Sequence, residues 1–306
     1  MSLNIIFMGT PEFSVPSLTA LLDSQYKITC VYTQPPQKKN RGQKIYKSPI
    51  HLTAEKFNLK VRSPYNLSND LEYKFFLDNK PDLVIVVAYG NLIPERYLKI
   101  PNLLFLNLHA SLLPKWRGAA PIERSILNQD FETGISIMKI VKELDAGPFM
   151  LQEKVSIDKT VTAGKLKARL SKVGASAIIK AINLISNGEE KFIDQDVSNS
   201  SYAKKIEKFE TKINWGNKSK DIIAMINAFN PTPGAWFELK SQRYKILEAE
   251  ESTMTGPIGE TLDDQLTIGT GKNSIKILQI QKEGKNILDV KNFLIGNNIK
   301  KGTKIL

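Results

Sequence analysis

The chain has 306 residues, with 43 lysines and arginines against 31 aspartates and glutamates, a formal net charge of +12. A hydrophobic content of 42% suits a globular protein of two domains, and the longest apolar run, 83–89, is far too short to span a bilayer. A single cysteine rules out an internal disulfide, and the basic balance favours a polyanionic partner such as nucleic acid.

Residues 3–9 form an apolar, strand-like opening with no charged leader before it, so no signal peptide and a cytosolic setting are expected. Gly9 then supplies a tight turn into a helix over 13–22, where Pro16 is tolerated only in the first turn. The lone glycine of Gly9-Thr10-Pro11-Glu12-Phe13 does not provide for a pyrophosphate as G-x-G-x-x-G would. A strand over 26–33 carries Cys30 as an inert core thiol. A polar loop, 34–47, follows. Ser48-Pro49 opens a helix with a serine cap and a proline at its first position. His51 falls in that helix as a surface or packing residue. A helix over 67–78 precedes the continuous apolar run 83–88, the signature of a parallel strand covered on both faces.

The next strand, 103–109, delivers Asn107 and His109 two apart, so both side chains leave one face. Carboxyl ends of strands are where open α/β sheets bind ligands. A helix over 118–128, a strand over 134–141 and a long helix over 161–187, ended by Gly188, complete a βαβ rhythm around a mainly parallel sheet. Residues 189–206 are polar, as a linker is. Beyond them come a helix over 219–229 and short β-like runs at 235–239, 243–249, 265–269 and 274–280, which suggest a small antiparallel barrel or sheet. The chain therefore divides into 1–188, a linker 189–206, and 207–306.

No Cys or His sits at metal-ligand spacing, and no G-x-S-x-G elbow is present. Asp145, in the turn Glu143-Leu144-Asp145-Ala146-Gly147-Pro148, is the third polar candidate. Alone, it reads as a turn aspartate. Taken with Asn107 and His109, it supplies a carboxylate to an amide donor and an imidazole, a set suited to oxyanion stabilisation and proton movement at an acyl centre. Basic residues gather in two places. Lys38, Lys39, Arg41, Lys44 and Lys47 lie in one run without an acid, and Lys204, Lys205, Lys208, Lys212, Lys218 and Lys220 form the other.

Asn107-x-His109 with Ser111-Leu112-Leu113-Pro114 and Lys115-Trp116-Arg117-Gly118-Ala119-Ala120-Pro121-Ile122 resembles the 10-formyltetrahydrofolate-dependent formyltransferases. Gly134-Ile135-Ser136-Ile137-Met138 and Leu144-Asp145-Ala146-Gly147 resemble their second signature. The opening Phe7 to Phe13, Tyr32-Thr33-Gln34-Pro35, Ile213-Asn214-Trp215 and Ala228-Phe229-Asn230-Pro231 resemble the branch acting on methionyl-initiator tRNA. The resemblance implies a Rossmann-like formyltransferase domain joined to a C-terminal OB-like β-barrel. It implies catalysis by Asn107, His109 and Asp145, with folate contacts from Ser111, Leu112, Leu113 and Pro114 and no metal. It further implies a monomer and a tRNA contact at Arg41; the two basic clusters extend the expected tRNA contacts to Lys38, Lys39, Lys44, Lys204, Lys205 and Lys208, and no membrane role is expected. One segment departs from the pattern: Pro36-Gln37-Lys38-Lys39-Asn40 stands where Asp-Arg-Pro-Ala-Gly is common, although Arg41-Gly42 is kept.

Overall fold

The computed structural model describes residues 3–39 and 44–305. The elements run β1 (Asn4–Gly9), α1 (Val15–Leu22), β2 (Lys27–Tyr32), β3 (Gln37–Lys39), β4 (Lys44–Tyr46), α2 (Pro49–Lys56), β5 (Val61–Arg62), α3 (Asp70–Asp78), β6 (Leu83–Val87), α4 (Glu95–Leu98) and β7 (Leu104–His109). There follow β8 (Arg117–Gly118), α5 (Pro121–Leu127), β9 (Glu132–Lys139), β10 (Phe149–Ser156), α6 (Ala163–Asn187), β11 (Tyr202–Ala203) and α7 (Ser219–Phe229). The chain closes with β12 (Ala235–Leu239), β13 (Gln242–Ser252), β14 (Thr267–Gly269), β15 (Ser274–Lys282), β16 (Ile287–Asp289) and α8 (Val290–Ile295). The described residues up to Gly118, with Thr133–Val155 and Lys167–Tyr202, form one compact unit; Ala119–Glu132, Ser156–Leu166 and the residues from Ala203 onward form the second. Among the described residues, no helix is long and apolar enough to cross a membrane.

Among the described residues of the first unit, strands form a seven-stranded sheet in the order β10-β9-β7-β6-β1-β2-β5. β1 pairs parallel with both β2 and β6, β6 parallel with β7, and β9 antiparallel with β7. The expected Rossmann-like, mainly parallel sheet is therefore present. β6 is buried along its whole length, which is why its five residues are all Leu, Val or Ile. From β1 the chain winds first toward β2 and β5 and then back toward β6 and β7. The ends of β1 and β6 thus form the topological switch point, where such sheets hold ligands. Gly9 closes β1 there: a Cβ would lie 2.8 Å from the Phe7 ring and 2.9 Å from Ser14 Cβ.

Local chemistry explains where the elements differ from the sequence reading. The third helix starts at Asp70, not Leu67, because Asn69 Oδ1 accepts the Leu71 amide at 2.8 Å and caps it, leaving Leu67 as a buried residue ahead of the helix. Residues 34–47 are not simply a loop. β3 and β4 pair as an antiparallel hairpin, with Lys38 opposite Ile45. Lysine-rich strands lack the apolar alternation that signals a strand, so only Ile45-Tyr46 hinted at it. β10 was missed for a similar reason: it is half-buried along most of its length and carries Gln152, Glu153 and Lys154. By contrast, the Ser48 cap is as expected, its Oγ accepting the His51 amide at 3.0 Å. His51 itself packs in that helix, 3.3 Å from Glu55.

Cys30 sits in the core with Met8, Tyr32, Phe76 and Val84, fully buried. Burial pushes its thiol up to about 12, since desolvation penalises the thiolate. The native protein should therefore resist iodoacetamide at pH 8–9 and react only when unfolded; alkylation of the folded chain at the rate of a free thiol would contradict this core position. The linkage has a definite sign. The folded state holds its proton to higher pH, so this contribution to stability is complete below the unfolded thiol value of 9.0 and is lost as pH rises toward 12.

In the second unit, β12, β13, β15 and β14 form an antiparallel sheet in that order, with β16 on β15. Alternation puts Ala235, Phe237 and Leu239 inside and leaves Trp236 and Glu238 on the outer face. Phe237, Tyr244, Phe293 and Trp215 pack ring against ring beneath it. β16 and α8 had no strong signal in sequence: all three β16 residues are exposed, and α8 is only six residues long.

Candidate active site

β7 ends in Asn107-Leu108-His109, and strand alternation sends Leu108 to one face and the two polar side chains to the other. On the first face α6 packs closely, since a Cβ on Gly174 would fall 2.5 Å from Leu108 Cδ1. Asn107 is half-buried and His109 only 5% exposed. Asp145 arrives from the turn between β9 and β10 in a left-handed conformation, φ +50°, that aspartate tolerates better than most residues. The turn can close because residue 147 is glycine: an added Cβ would collide with the Lys139 carbonyl oxygen, while the Lys139 amide donates to Pro148 O at 2.9 Å.

The three side chains meet. Asn107 Nδ2 approaches Asp145 Oδ1 at 3.4 Å, and His109 Nδ1 lies 3.5 Å from Asp145 Oδ2. Oδ2 also accepts the Gly118 amide at 2.9 Å. His109 Nε2 is 2.8 Å from the Trp116 carbonyl oxygen. A carbonyl can only accept, so Nε2 carries a hydrogen. The imidazole is thus held between a carboxylate and a backbone oxygen. Trp116 holds its own carbonyl there from a φ of +61°, an uncommon state for a bulky residue that costs on the order of 1–3 kcal/mol. Ser201 maintains it, accepting the Trp116 amide on Oγ at 3.0 Å and the Arg117 amide on its carbonyl at 2.9 Å.

Two residues that the sequence reading gave no role support this arrangement. Gln195 Nε2 donates to the carbonyls of Asp145 (2.9 Å) and Gly147 (2.6 Å), and its Oε1 accepts from buried Arg117 Nε at 2.9 Å. A buried arginine must find acceptors, so Arg117 in the Trp-Arg-Gly run was a signal. Gln195 had none, lying in a polar stretch read as a linker. The loop after β6 was also overlooked. Ala88 and Gly90 take φ of +48° and +86°, and Thr10 Oγ1 donates to Tyr89 O at 2.7 Å, tying the ends of β1 and β6 together at the switch point.

The Ser111–Pro114 stretch is internally satisfied. Buried Ser111 donates from Oγ to Lys115 O at 2.6 Å, and Ser136 Oγ donates to Ser111 O (2.7 Å) while accepting the Leu113 amide (3.0 Å). Gln152 Nε2 donates to Leu113 O at 2.8 Å. Leu112 and Pro114 remain partly exposed and offer an apolar edge rather than polar contacts. Among the described residues, no three His, Cys, Asp or Glu side chains gather as a metal site would require.

Of the basic residues, Lys38, Lys204, Lys205 and Lys208 are exposed. Lys39 and Lys44 face each other in the β3–β4 register. Arg41 lies outside the described residues. In the second unit Arg124 anchors the lysine run: its Nε donates to Lys204 O at 3.0 Å, Nη2 to Lys205 O at 3.3 Å, and its fork grips Glu210 at 2.6 and 3.0 Å. The Arg124 guanidinium holds the Glu210 carboxyl below its ordinary value.

The sequence matches the formyl transferase family over residues 3–182 and the formyl transferase C-terminal domain over 205–298. It is 46% identical to the methionyl-tRNA formyltransferase of Pelagibacter ubique (strain HTCC1062), covering 100% of this chain and 99% of that one. It is 42% identical to the protein of the same name from Rhizobium rhizogenes (strain K84 / ATCC BAA-868), with 99% and 98% covered. The fold is similar to WlaRD, a sugar 3N-formyl transferase solved with dTDP and 5-N-formyl-THF (TM-score 0.68, 23% identity, 94% and 100% covered). It is also similar to HypX from Aquifex aeolicus in complex with tetrahydrofolic acid (TM-score 0.66, 16% identity), where it covers 98% of this chain but spans only 49% of HypX. With both of its parts matched and full-length relatives this similar, the chain belongs to the formyl transferase family, in the branch of the methionyl-tRNA formyltransferases.

Proposed function

We propose that this protein transfers the formyl group of 10-formyltetrahydrofolate to the α-amino group of methionyl-initiator tRNA, working as a monomer in the cytoplasm. The observation that carries the reading is the meeting of Asn107, His109 and Asp145 at the carboxyl end of β7. The folate supplies an activated formyl carbonyl, and negative charge gathers on its oxygen as the amine attacks. Asn107 Nδ2 and His109 Nε2 donate hydrogen bonds to that oxygen. For His109 this means exchanging the Trp116 carbonyl for the new acceptor, a tightening expected on substrate binding. Asp145 fixes the ring from the Nδ1 side and stabilises its positive form; as the tetrahedral adduct collapses, the bond from the formyl carbon to N10 breaks, and the pair passes the proton shed by the amine to the departing N10. Removing one such donor typically costs about 3–4 kcal/mol of transition-state stabilisation.

Residues 1–188 carry the chemistry, with Gln195 reaching back from the connecting stretch 189–206, and 207–306 binds tRNA. The partly exposed Leu112 and Pro114 fit an apolar part of the folate, while Ser111 and Leu113 shape the loop from within. Arg41 with Lys38, Lys39 and Lys44, and Lys204, Lys205 and Lys208, contact tRNA phosphates. Formyl transfer from 10-formyltetrahydrofolate is expected with methionyl-initiator tRNA and not with methionyl-elongator tRNA or in the absence of an acceptor. Equal transfer to both tRNAs would remove the initiator assignment, and transfer to a sugar amine alone would remove the tRNA.

A further inference from the structure

The second unit carries a cavity of about 560 Å³ whose lining includes Lys208, Phe209, Trp236, Arg243, Lys245 and Gln281. That volume is within the roughly 300–1,000 Å³ of small-molecule sites. The sheet builds it: Trp236 on β12 is opposite Lys245 on β13, and Lys245 is opposite Gln281 on β15, so the three form one row across the outer face. The segment carrying Lys208 and Phe209 stands beside this row, and Trp236 Nε1 donates to Thr211 Oγ1 at 3.0 Å.

The cations lining this cavity are not neutralised by carboxylates of the described residues. Glu238 is the register partner of Arg243, yet the guanidinium lies over the Trp236 ring instead, 4.2 Å from its centroid, and Lys212 Nζ is 5.6 Å from the same ring. Among the described residues, Lys208, Arg243 and Lys245 form no ion pair, and Glu283 is the cavity's one lining carboxylate. Phe209 is 78% exposed, far more than a ring of this size is normally left without a partner. Cations without a carboxylate partner, beside one exposed phenyl ring and a half-buried indole, suit a ligand that joins an anion to a planar π-system. A nucleotide has both, a base to stack and a phosphate to neutralise.

We propose that this cavity holds one unstacked nucleotide of the tRNA, its base against Phe209 and the Arg243–Trp236 stack and its phosphate among Lys208 and Lys245. The proposal rests on the tRNA reading above and adds to it a base-stacking site in the C-terminal sheet.

The test measures equilibrium binding of methionyl-initiator tRNA by the full chain over a range of salt, together with KM and kcat for formylation. Phe209→Leu keeps an apolar side chain but removes the ring, and should raise Kd and the tRNA KM about tenfold, with kcat and the salt dependence unchanged. Phe209→Trp should bind as tightly as the parent. Lys245→Gln should weaken binding and lower the slope of log Kd against log salt by about one, as for a lost phosphate contact. Matching thermal unfolding of the variants and parent establishes that each is folded. If Phe209→Leu binds like the parent, or if Phe209→Trp binds no better than Phe209→Leu, no base stacks there and the proposal falls. Absence of formyl transfer in the parent itself would instead overturn the function proposed above, leaving the binding measurement to judge the cavity.

Discussion

Asp145→Asn is expected to lower kcat for formyl transfer by about 10²- to 10³-fold, with little change in KM for either substrate. The substitution keeps the shape of the side chain, and an amide oxygen can still accept the Gly118 amide that now binds Oδ2. What it removes is the negative charge 3.5 Å from His109 Nδ1. In its place an NH₂ group must face either the Asn107 amide donor, now 3.4 Å from Oδ1, or the imidazole. The first choice sets donor against donor. The second turns Nδ1 into an acceptor and disfavours the charged ring that the transition state needs. Both lose an interaction worth most when charge develops, so the effect belongs in kcat. His109→Ala should lose a similar factor. Because the two side chains act as one unit, the double variant should be scarcely slower than either single one. Single-turnover rates with both substrates saturating measure this directly. A rise in KM with kcat preserved would make Asp145 a binding residue and remove it from the chemistry.

How much of this was legible in the sequence depends on what each residue answers to. β6 could be read because a strand covered on both faces has no polar option, and Asn107 and His109 stood out against such strands for the same reason. The Ser48-Pro49 cap could be read because its partners lie within a few residues. Gln195 could not. Its partners are the Asp145 and Gly147 carbonyls and Arg117 Nε, all distant in sequence, and a polar residue among polar neighbours shows no periodicity. The β3–β4 hairpin stayed hidden because a lysine-rich stretch shows no apolar alternation, and Lys38, opposite Ile45, is exposed rather than packed in a core. His109 was found, but not its state: the hydrogen bond from Nε2 goes to a backbone carbonyl, which no side-chain pattern encodes. Local and apolar constraints were visible, whereas the polar contacts that set the site's geometry are long-range and made largely by backbone.

The same distinction predicts that a single added methyl group, carrying no charge of its own, should sharply slow the enzyme. The φ of Gly147 lies outside the left-handed region, so no positive φ demands glycine there. Its constraint is space, because a Cβ would run into the Lys139 carbonyl oxygen at the end of β9 and approach Val141 Cγ1 at 3.2 Å. Backbone oxygen cannot rotate away as a side chain can. Gly147→Ala must therefore move the turn, together with the Asp145 two residues before it and the Gln195 contact to its own carbonyl. Overpacking of this kind costs typically about 1–3 kcal/mol. Gly188, at the end of α6, poses the opposite case: its φ is +69° and no atom lies within 4 Å of an added Cβ. Gly188→Ala should cost about 1–2 kcal/mol through the left-handed backbone alone. The two variants should thus show comparable losses in thermal stability and very different rates. Gly188→Ala should formylate like the parent at temperatures where it is folded, while Gly147→Ala should lose on the order of 10²-fold in kcat, a misplacement of about 1 Å being enough for that. Equal activity in the two would mean that the 143–148 turn does not position the carboxylate that catalysis requires.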